Sequence, residues 1–386
     1  MTTMNTNAIA GHPRVLWVNV LMFAFTLIGA VVVVPWYGFT VGYSAAAWAW
    51  CIALLYANGL AITGGYHRLW SHRTYDAHWS LRLIYMILGA MALQNSVLVW
   101  ASGHRDHHQY VDDNDRDPYS AGRGLWFSHI GWMLRRYPSG EPHFDNVRDL
   151  QRDPLVAFQH KYYYPLAIGL NVFVPLALGW LYGDLWGVFL LAGVLRLVLS
   201  HHFTFLINSA AHAFGRQPYT DENSARDNPW LAVLTYGEGY HNFHHQFAHD
   251  YRNGIRWWHW DPSKWIIWSL SRVGVTYRLK RTPDVAVQRA RLAMQFRRVQ
   301  ESLERRKPHL PHMDLEQLRA RMAREYELFV ATLAEWSKVT DAWYTKTRAG
   351  IVRRWEEASF RTETRAILFQ LRMQHRRLEL LGAQLA

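Results

Sequence analysis

The chain has 386 residues, of which 50% are apolar and 15% aromatic, and it carries a net charge of +12. A single cysteine, Cys51, excludes a disulfide framework and a cysteine-based metal site. The basic excess suits an anionic membrane leaflet as well as nucleic acid, but no zinc-finger, RNA-binding or helix-turn-helix signature accompanies it, so we expect no nucleic-acid partner.

Five apolar runs approach the roughly 20 residues that a helix needs to cross the hydrocarbon of a bilayer. The first run is too long for a cleavable signal peptide and lacks a clear small-residue cleavage site, so we expect no such peptide. The 20 Trp and 20 Tyr suit membrane interfaces, where an apolar ring meets a polar edge. The runs cover about residues 15–34, 45–62, 81–100, 164–182 and 185–208.

The third run lies between two histidine clusters, at residues 67–72 and 104–108. If both clusters bind one metal centre, they must lie on the same side of the membrane. A single crossing between them would separate them. We therefore predict that residues 81–94 form an embedded or re-entrant helix, which leaves four transmembrane helices.

Loop charges predict the orientation. The link at residues 35–45 has no Lys or Arg, and the link at 182–185 carries only Asp184, whereas the segments 67–82 and 105–161 carry many Arg. Positive loops stay in the cytoplasm. We therefore expect both termini and all histidine clusters to face the cytoplasm, at the inner or plasma membrane if the protein is bacterial.

The character of the chain changes near residue 281. Residues 281–386 are rich in Arg, Glu, Leu and Ala, and Pro308 and Pro311 interrupt them. We predict two or three amphipathic helices here, forming a domain separate from residues 1–280. They are either a solvated appendage or helices that lie on the membrane or self-associate. The apolar residues at helical spacing are Leu315, Leu318, Met322 and Tyr326, and then Ile367, Leu371 and Leu378.

Three histidine clusters dominate the rest of the sequence. On a helix, positions i, i+3 and i+4 share one face, so each H-x-x-H-H cluster points three imidazoles into one space. Two copies of that pattern together with a spaced pair are far rarer than a single copy, and they predict a metal site. The clusters are His67 with His72, then His104, His107 and His108, and then His241, His244 and His245.

A fourth polar element ends the last apolar run, where Asn208 and His212 lie one helical turn apart. A ligand-forming side chain at such a position is functional by default. His201 and His202, about two turns earlier, are more typical of packing or substrate contact. Asp106, Glu238 and Asp250 are candidates to orient the imidazoles, or else residues of helix ends or the surface.

The donor set favours iron. Zinc takes four ligands, whereas about nine neutral imidazoles suit two first-row ions. Soluble di-iron bundles use Glu-x-x-His motifs with many carboxylates, which are scarce here. The residues thus predict an all-α integral membrane protein: about four transmembrane helices under a cytoplasmic helical cap that holds a di-metal histidine site, with a C-terminal helical appendage.

The sequence resembles the stearoyl-CoA desaturase (acyl-CoA Δ9 fatty acid desaturase) family over roughly residues 12–280, as a bacterial-like member without a fused cytochrome b5. Long stretches around the histidines carry the resemblance, whereas a generic membrane oxygenase would share only the histidines. The matching strings are GGYHRLWSHRTY, QNSVLVWASGHRDHHQY, GRGLWFSHIGWML, NSAAH and YGEGYHNFHHQFAHDY.

The resemblance implies a di-iron centre that uses O2 as co-substrate to place a cis double bond in a saturated acyl chain, at carbon nine. It implies that Asn208 holds one iron through water. The implied iron ligands, which are also the catalytic residues, are His67, His72, His104, His107, His108, His212, His241, His244 and His245.

The resemblance also implies a kinked acyl tunnel beside the metals. Its kink would be formed by Gln94, Trp100 and Thr204, and its floor by the second span around Leu55 and Gly59. At the headgroup end it implies that Asn19, Arg135 and Arg136 lie near the thioester and coenzyme A phosphates. The alternative for the two arginines is a positive-inside flank or a lipid-phosphate contact.

One departure keeps the acyl carrier open. Animal members have an Arg-Asp pair where this chain has Ser102 and Gly103, so a phospholipid-linked acyl chain remains an alternative to acyl-CoA. Residues 281–386 contain no His-Pro-Gly-Gly haem motif, so we expect electrons from a separate ferredoxin, cytochrome b5-like protein or flavin/iron-sulfur reductase. Rival functions are a di-iron membrane hydroxylase of an alkane, sterol or carotenoid, and a non-catalytic membrane scaffold.

Overall fold

A computed structural model describes residues 13–306, 312–348 and 354–384. They divide into two compact units, the first within Met1–Arg216 and Asn223–Arg281 and the second within Gln217–Glu222 and Thr282–Ala386. We call the first the membrane unit and the second the C-terminal unit. The chain thus leaves the membrane unit after Arg216, returns to it at Asn223 and leaves it again after Arg281.

Among the described residues, four helices are long and apolar enough to cross a membrane, as predicted. Their outer side chains are apolar and exposed, as with Phe25 at 69% and Phe173 at 71%, which suits contact with hydrocarbon. The all-α integral membrane architecture is therefore confirmed. The four spans, numbered in chain order, are Trp17–Thr40, Ala45–Ser71, Tyr163–Leu181 and Leu185–Ala213.

The third apolar run forms a helix that does not cross. This embedded helix, Trp79–Met91, has 13 residues. At 1.5 Å per residue it is about 20 Å long, well short of the roughly 30 Å of hydrocarbon. Its apolar face, including Tyr85 and Met86, is buried in the core of the membrane unit. The expectation of an embedded helix is thus confirmed, with an end three residues earlier than predicted.

Short helices and one small sheet complete the membrane unit. Three of the helices begin with an Asp or Asn cap followed by proline, at Asp153, Asn228 and Asp261. The cap's side-chain oxygen accepts from free N–H groups of the first turn, and proline suits the next position because an N–H there would have no intrahelical acceptor. The strands Asp76–Ala77 and Thr276–Tyr277 pair antiparallel. The helices are Val97–Tyr110, Ala121–Arg123, Phe127–Gly131, Trp132–Leu134, Pro138–Gly140, Asp145–Val147, Arg148–Gln151, Pro154–Lys161, Pro229–Leu234, His241–Gln246 and Pro262–Ser271.

The C-terminal unit contains three described helices, Asp284–Arg306, His312–Arg348 and Arg354–Gln384. The expected helical appendage is therefore present. Its core is a single apolar cluster to which the predicted Ile367, Leu371 and Leu378 contribute fully buried side chains. Leu318 and Met322 pack against that cluster, and Tyr326 meets Phe296 edge to face. Pro308, Pro311 and the side chain of Leu315 lie outside the described residues.

Candidate metal centre

The first histidine cluster lies at the end of the second span, whose last stretch, Ala61–Ser71, is a π-helix. The His72 N–H donates to the His67 carbonyl at 3.0 Å, closing the five-residue turn of this helix. The wide turn therefore places two histidines five residues apart on the same face, with ring centroids 4.8 Å apart. Both side chains are buried. Single π-turns inside helices are frequent at functional sites.

The other two clusters lie on α-helices. His104, His107 and His108 lie near the end of the helix Val97–Tyr110, which we call the second-cluster helix, and the third cluster occupies His241–Gln246. At i, i+3 and i+4 the imidazoles of each cluster project from one face. His212 comes from the end of the fourth span. Four elements thus direct histidines to a common place.

The structure sorts nine histidines into two groups, and within each group the candidate ligand atoms lie within 4.8 Å of one another. Each H-x-x-H-H cluster contributes to both groups. The rings of His108 and His245, one from each group, stack 4.3 Å apart. The first histidine group contains His67, His72, His104, His108 and His244, and the second contains His107, His212, His241 and His245.

Nitrogen spacings in the first histidine group fit a metal ion with ligands at right angles. Two nitrogens about 2.1 Å from one ion are about 3.0 Å apart at a right angle and about 3.4 Å apart at the tetrahedral angle. The Nε2 atoms of His72 and His104 are 2.8 Å apart. The Nε2 atom of His244 lies 3.0 Å from that of His67 and 2.9 Å from that of His108. Five such nitrogens exceed the four ligands of tetrahedral zinc.

The second histidine group contains a nitrogen that only a ligand would satisfy. The Nε2 atom of His241 lies 3.0 Å from that of His212 and 3.1 Å from that of His245. His107 points its Nδ1 at both carboxylate oxygens of the buried Asp117, at 3.0 Å each. Since Nδ1 donates to that carboxylate, Nε2 carries the lone pair, and it is buried without a hydrogen-bond partner among the described residues. The donor set therefore fits a metal ion.

The Glu238 carboxylate lies beside the Nδ1 side of the His67 ring. Its Oε2 lies 3.0 Å from His67 Nδ1 and accepts from Asn253 Nδ2 at 2.6 Å, while its Oε1 accepts from Arg68 Nη2 at 2.8 Å. Arg68 also pairs with Asp261 at 2.9 Å, and all three charged side chains are almost fully buried. Burial alone would raise the pKa of Glu238, but the charges and hydrogen bonds of His67 and Arg68 lower it to about 2. The carboxylate therefore stays ionised and fixes the ring of His67.

Sequence reasoning named three carboxylates as candidates to orient imidazoles. Glu238 does meet a cluster imidazole, as described above. Asp106 instead accepts from His143 Nε2 at 3.1 Å and from Asn146 Nδ2 at 2.9 Å. Asp250 pairs with Arg252 at 2.8 Å.

Several orienting residues were missed. Besides Asp117, they include Tyr119, whose hydroxyl lies 3.3 Å from His104 Nδ1. The Ser224 hydroxyl lies 2.8 Å from His212 Nδ1 and donates to Asp112 at 2.5 Å. The available signal was the carboxylate-rich stretch at residues 112–117, which follows the second-cluster helix.

Six of the grouped histidines outside the spans are held neutral. Burial lowers their pKa values well below the ordinary 6.5, and the neighbouring imidazoles lower them further. A neutral imidazole is the form that binds a metal. The histidines concerned are His72, His104, His108, His241, His244 and His245.

The remaining polar residues of the fourth span take different places. Asn208 is half-buried at the end of an α-helical segment, and a break at Ser209 separates it from His212. His201 Nε2 donates to the carbonyls of Ala92 and Leu93, at 3.1 and 3.2 Å. The Nδ1 atom of His202 lies 3.0 Å from Nε2 of His129. Neither His201 nor His202 belongs to either histidine group.

The three residues predicted for the tunnel kink lie on different elements: Gln94 before the second-cluster helix, Trp100 on that helix and Thr204 on the fourth span. Gln94 Nε2 donates to Thr204 Oγ1 at 2.9 Å. The indole of Trp100 stacks on His104 with ring centroids 4.8 Å apart and 24° between the planes. The proposed bend therefore borders a histidine of the first group.

The two residues predicted for the tunnel floor share one neighbour, Tyr236. The Tyr236 hydroxyl donates to the Leu55 carbonyl at 3.2 Å. A Cβ added at Gly59 would lie 2.2 Å from Cζ of the same ring, so only glycine admits it there. The buried Tyr236 ring therefore packs against the second span at Leu55 and Gly59.

The predicted headgroup residues lie near each other. Asn19 Nδ2 donates to the Met133 carbonyl at 2.8 Å, two residues before Arg135. Arg135 donates to the Pro13 carbonyl at 2.9 Å. Arg136 is exposed and forms a two-bond pair with Glu141 at 2.6 and 3.0 Å. Glu141 thus occupies the guanidinium that was predicted to meet a phosphate.

Comparison with known proteins identifies relatives of this architecture. The model of the fatty acid desaturase family matches residues 43–280. Acyl-CoA desaturase 1 of Saccharomyces cerevisiae is 43% identical over 243 residues, which are 63% of this chain and 48% of the relative. Stearoyl-CoA desaturase 5 of Homo sapiens is 36% identical over 293 residues, covering 72% and 85% of the two chains.

A third relative is the Delta(9)-fatty-acid desaturase fat-5 of Caenorhabditis elegans, 34% identical over 297 residues, covering 72% of this chain and 84% of the relative. The chain spans about half the length of the two yeast relatives it matches, at 48% of each. The matched segment contains all nine grouped histidines. The chain belongs to the fatty acid desaturase family.

Proposed function

We propose that this protein inserts a cis double bond into a saturated long-chain fatty acyl substrate in an O2-dependent reaction, at carbon nine. The observation that carries the proposal is the pair of histidine groups, with five and four imidazoles that are mostly buried. The names of the relatives, which include acyl-CoA and Δ9 fatty-acid desaturases, support the reaction and its position.

Two iron ions are the proposed cofactor, one for each histidine group, with Asn208 as a ligand of one iron through water. When bound, iron activates O2 so that two hydrogens leave adjacent acyl carbons and, with two electrons and two protons from a donor, two waters form. Burial keeps His72, His104 and His244 neutral. Asp117 fixes the tautomer of His107, and Glu238 lies 3.0 Å behind Nδ1 of His67.

The acyl chain is proposed to bend at Gln94, Thr204 and Trp100 and to end near Leu55 and Gly59. Burying a long chain stabilises the complex by about 0.8 kcal/mol per methylene, so tunnel length selects chain length. The stacking of Trp100 on His104 supports a bend beside the first histidine group. An enclosed site also keeps bulk water from the reacting carbons.

Acyl-CoA is the favoured substrate, with Asn19, Arg135 and Arg136 at its thioester and phosphates. Guanidinium groups suit phosphate because they donate two parallel hydrogen bonds. Ser102 and Gly103 stand where animal members have a charged pair, which keeps a phospholipid-linked chain as the alternative. Supplying purified protein with acyl-CoA in one assay and labelled acyl phospholipid in another separates the two carriers.

The protein is proposed to place its active site and both termini in the cytoplasm and to receive electrons from a separate carrier protein. The uncharged first loop and the arginine-rich later segments support this orientation. With Cys51 replaced by Ala, a cysteine at Val41 should react with an impermeant reagent from outside the cell. A cysteine at Asp145 should react only after permeabilisation, and the reverse pattern contradicts the orientation.

We also propose that residues 1–280 form the catalytic domain and residues 281–386 a separate helical domain. The family match ends at residue 280, and the second described unit contains the helices after Arg281, which supports the division. The same unit includes Gln217–Glu222 from the middle of the chain.

The test is the fatty-acid profile of a desaturase-deficient host that expresses the chain with a competent electron donor. His107→Ala removes a member of the second histidine group, and His375→Ala is the matched control in the C-terminal unit. The intact chain and the control should produce a cis-9 monounsaturated acid, and His107→Ala should produce none. Hydroxylated lipids in place of the unsaturated acid, or an unsaturated acid from His107→Ala, would overturn the proposal.

A further inference from the structure

The embedded helix ends inside the membrane unit. Its final backbone donors, the N–H groups of Ala92 and Leu93, reach the carbonyls of residues 88–90 and leave the Met91 carbonyl to other partners. Carbonyls in such a place need partners from the protein, since hydrocarbon supplies none. Side-chain amides on neighbouring spans donate to the carbonyls of Leu88, which also accepts from the Ala92 N–H, and of Met91. Asn58 Nδ2 of the second span donates to the Leu88 carbonyl at 2.8 Å. Asn171 Nδ2 of the third span donates to the Met91 carbonyl at 2.9 Å.

A fully buried arginine of the fourth span joins this set. Arg196 Nη1 donates to the Met91 carbonyl at 3.2 Å, Nη2 to Asn171 Oδ1 at 2.8 Å and Nε to the Ala192 carbonyl at 2.8 Å. These partners, all in the described part of the chain, are neutral. A charged side chain inside a span is costly and marks a functional residue by default. The negative end of the embedded helix, whose last carbonyls it meets, offsets its charge.

The residues after the embedded helix form a turn that the backbone alone would not favour. Leu93 and Asn95 both lie in the left-handed region, with φ of 54° and 72°. Such conformations cost free energy in residues other than glycine and persist where their surroundings hold them. The Asn95 N–H donates to the Tyr163 hydroxyl at 2.8 Å, and Gln94 donates to Thr204. His201 donates to the carbonyls of Ala92 and Leu93, at the start of this turn.

The turn leads directly into the metal centre. The second-cluster helix begins one residue later, where the Val97 N–H donates to Gln159 Oε1 at 2.8 Å. Three residues on, Trp100 stacks against His104 of the first histidine group. A displacement of the turn would therefore move Gln94, the start of this helix and Trp100 together.

We infer that Arg196 is a positioning residue for the reaction: with Asn171 and His201 it fixes the turn at residues 92–96, and so determines which acyl carbons lie beside the histidine groups. The inference rests on the proposed function. Misplacement by about 1 Å can change a rate by about a hundredfold. Adjacent acyl carbons are separated by a similar distance, so a loosened turn redistributes the double bond along the chain.

Arg196→Gln removes the charge, and Arg196→Lys keeps it without the two-pronged donor geometry. Asn171→Ala removes only one partner and serves as the milder variant. The matched control is Lys264→Met, because Lys264 is another buried cation that donates to three carbonyls, those of Gly254, Arg256 and His259, at 2.7, 2.8 and 3.2 Å. Lys264 lies outside the spans and outside this turn.

Two readouts are needed. Hydrogen–deuterium exchange of a peptide covering residues 92–99 reports on the turn without any turnover. Mass-spectrometric mapping of double-bond position in the products reports on the acyl chain. We expect Arg196→Gln to accelerate exchange in that peptide and to raise the fraction of misplaced double bonds about tenfold or more. Arg196→Lys and Asn171→Ala should lie between it and the wild type, and Lys264→Met should lower yield without changing either readout.

Unchanged exchange at residues 92–99 in all three variants would overturn the inference, whether or not the protein is active. Faster exchange with an unchanged product distribution would equally overturn it, since Arg196 would then only stabilise the fold. A wild-type protein that forms no unsaturated product would refute the proposed function, and with it the positioning role, even if Arg196 holds the turn.

Discussion

Replacing Glu238 by Gln tests whether the residues behind the histidines hold the metal centre. The two side chains have the same size, so no cavity forms. Glu238 accepts hydrogen bonds at both oxygens, from Arg68 at Oε1 and from Asn253 at Oε2, with His67 Nδ1 also 3.0 Å from Oε2. Whichever way the glutamine amide turns, its NH2 group faces a donor. The variant therefore loses the charge and at least one hydrogen bond.

The size of the effect follows from the pKa of Glu238, which is lowered from 4.5 to about 2. Each pKa unit corresponds to about 1.4 kcal/mol. Part of the lowering requires a charged His67, and that ring is neutral when it binds a metal, so the ionised carboxylate contributes at most about 3 kcal/mol to stability. Because the folded-state pKa is the lower one, this contribution is present above about pH 4.5 and is lost as the pH falls towards about 2. Loss of an orienting partner should also weaken metal binding by about 10- to 100-fold.

The assay measures thermal stability in detergent and competition for the metal by a chelator. Glu325→Gln is the control, since Glu325 forms a two-bond pair with the partly exposed Arg377 in the C-terminal unit, at 2.6 and 2.9 Å. Partly exposed pairs contribute about 1 kcal/mol or less. We expect the control to retain metal as the wild type does. A Glu238→Gln protein with wild-type metal affinity and melting temperature would refute the orienting role.

Three further predictions follow from other parts of the structure. Arg136→Gln should raise KM for acyl-CoA and leave kcat unchanged, because a guanidinium that exchanges Glu141 for a phosphate binds substrate and transition state alike. An unchanged KM places the headgroup elsewhere. Gly59→Ala should destabilise the protein by about 1–3 kcal/mol in detergent melting, because the new Cβ would lie 2.2 Å from the Tyr236 ring. Adding Tyr236→Leu should restore stability. A single variant as stable as the wild type would contradict this packing. Burial lowers the pKa values of His72, His104 and His244 below 6.5, so the unfolded chain binds more protons than the folded chain. The metal-free protein should therefore lose stability as the pH falls below 6.5. Denaturant titrations that give equal stability at about pH 7 and about pH 5 would show that these rings are already protonated in the fold.

The sequence predicted the features that depend on periodicity. Apolar length identified the four spans, and the need to keep two histidine clusters on one side identified the embedded helix. The i, i+3, i+4 spacing correctly indicated that His104, His107 and His108 share a face. Helical spacing of Ile367 and Leu371 likewise predicted the buried face of the last helix.

Other features depend on contacts that no local pattern encodes. The division of each H-x-x-H-H cluster between two groups arises only when four elements meet. Asp117 and Ser224 reach histidines from loops whose course is set by tertiary packing. The π-helical turn that brings His67 beside His72 is a local choice of helix type that composition does not predict. Arg196 stands in an apolar run, and two of its three partners belong to other helices.

Metal content per chain shows whether the two histidine groups are metal sites. It is measured on protein purified from iron-replete cells, beside His72→Ala and His107→Ala, one variant from each group. We expect two iron ions per chain in the wild type and a loss that falls on a different ion in each variant. A single metal ion per chain in the wild type, or iron content that neither substitution changes, would contradict the assignment of the two groups as metal sites.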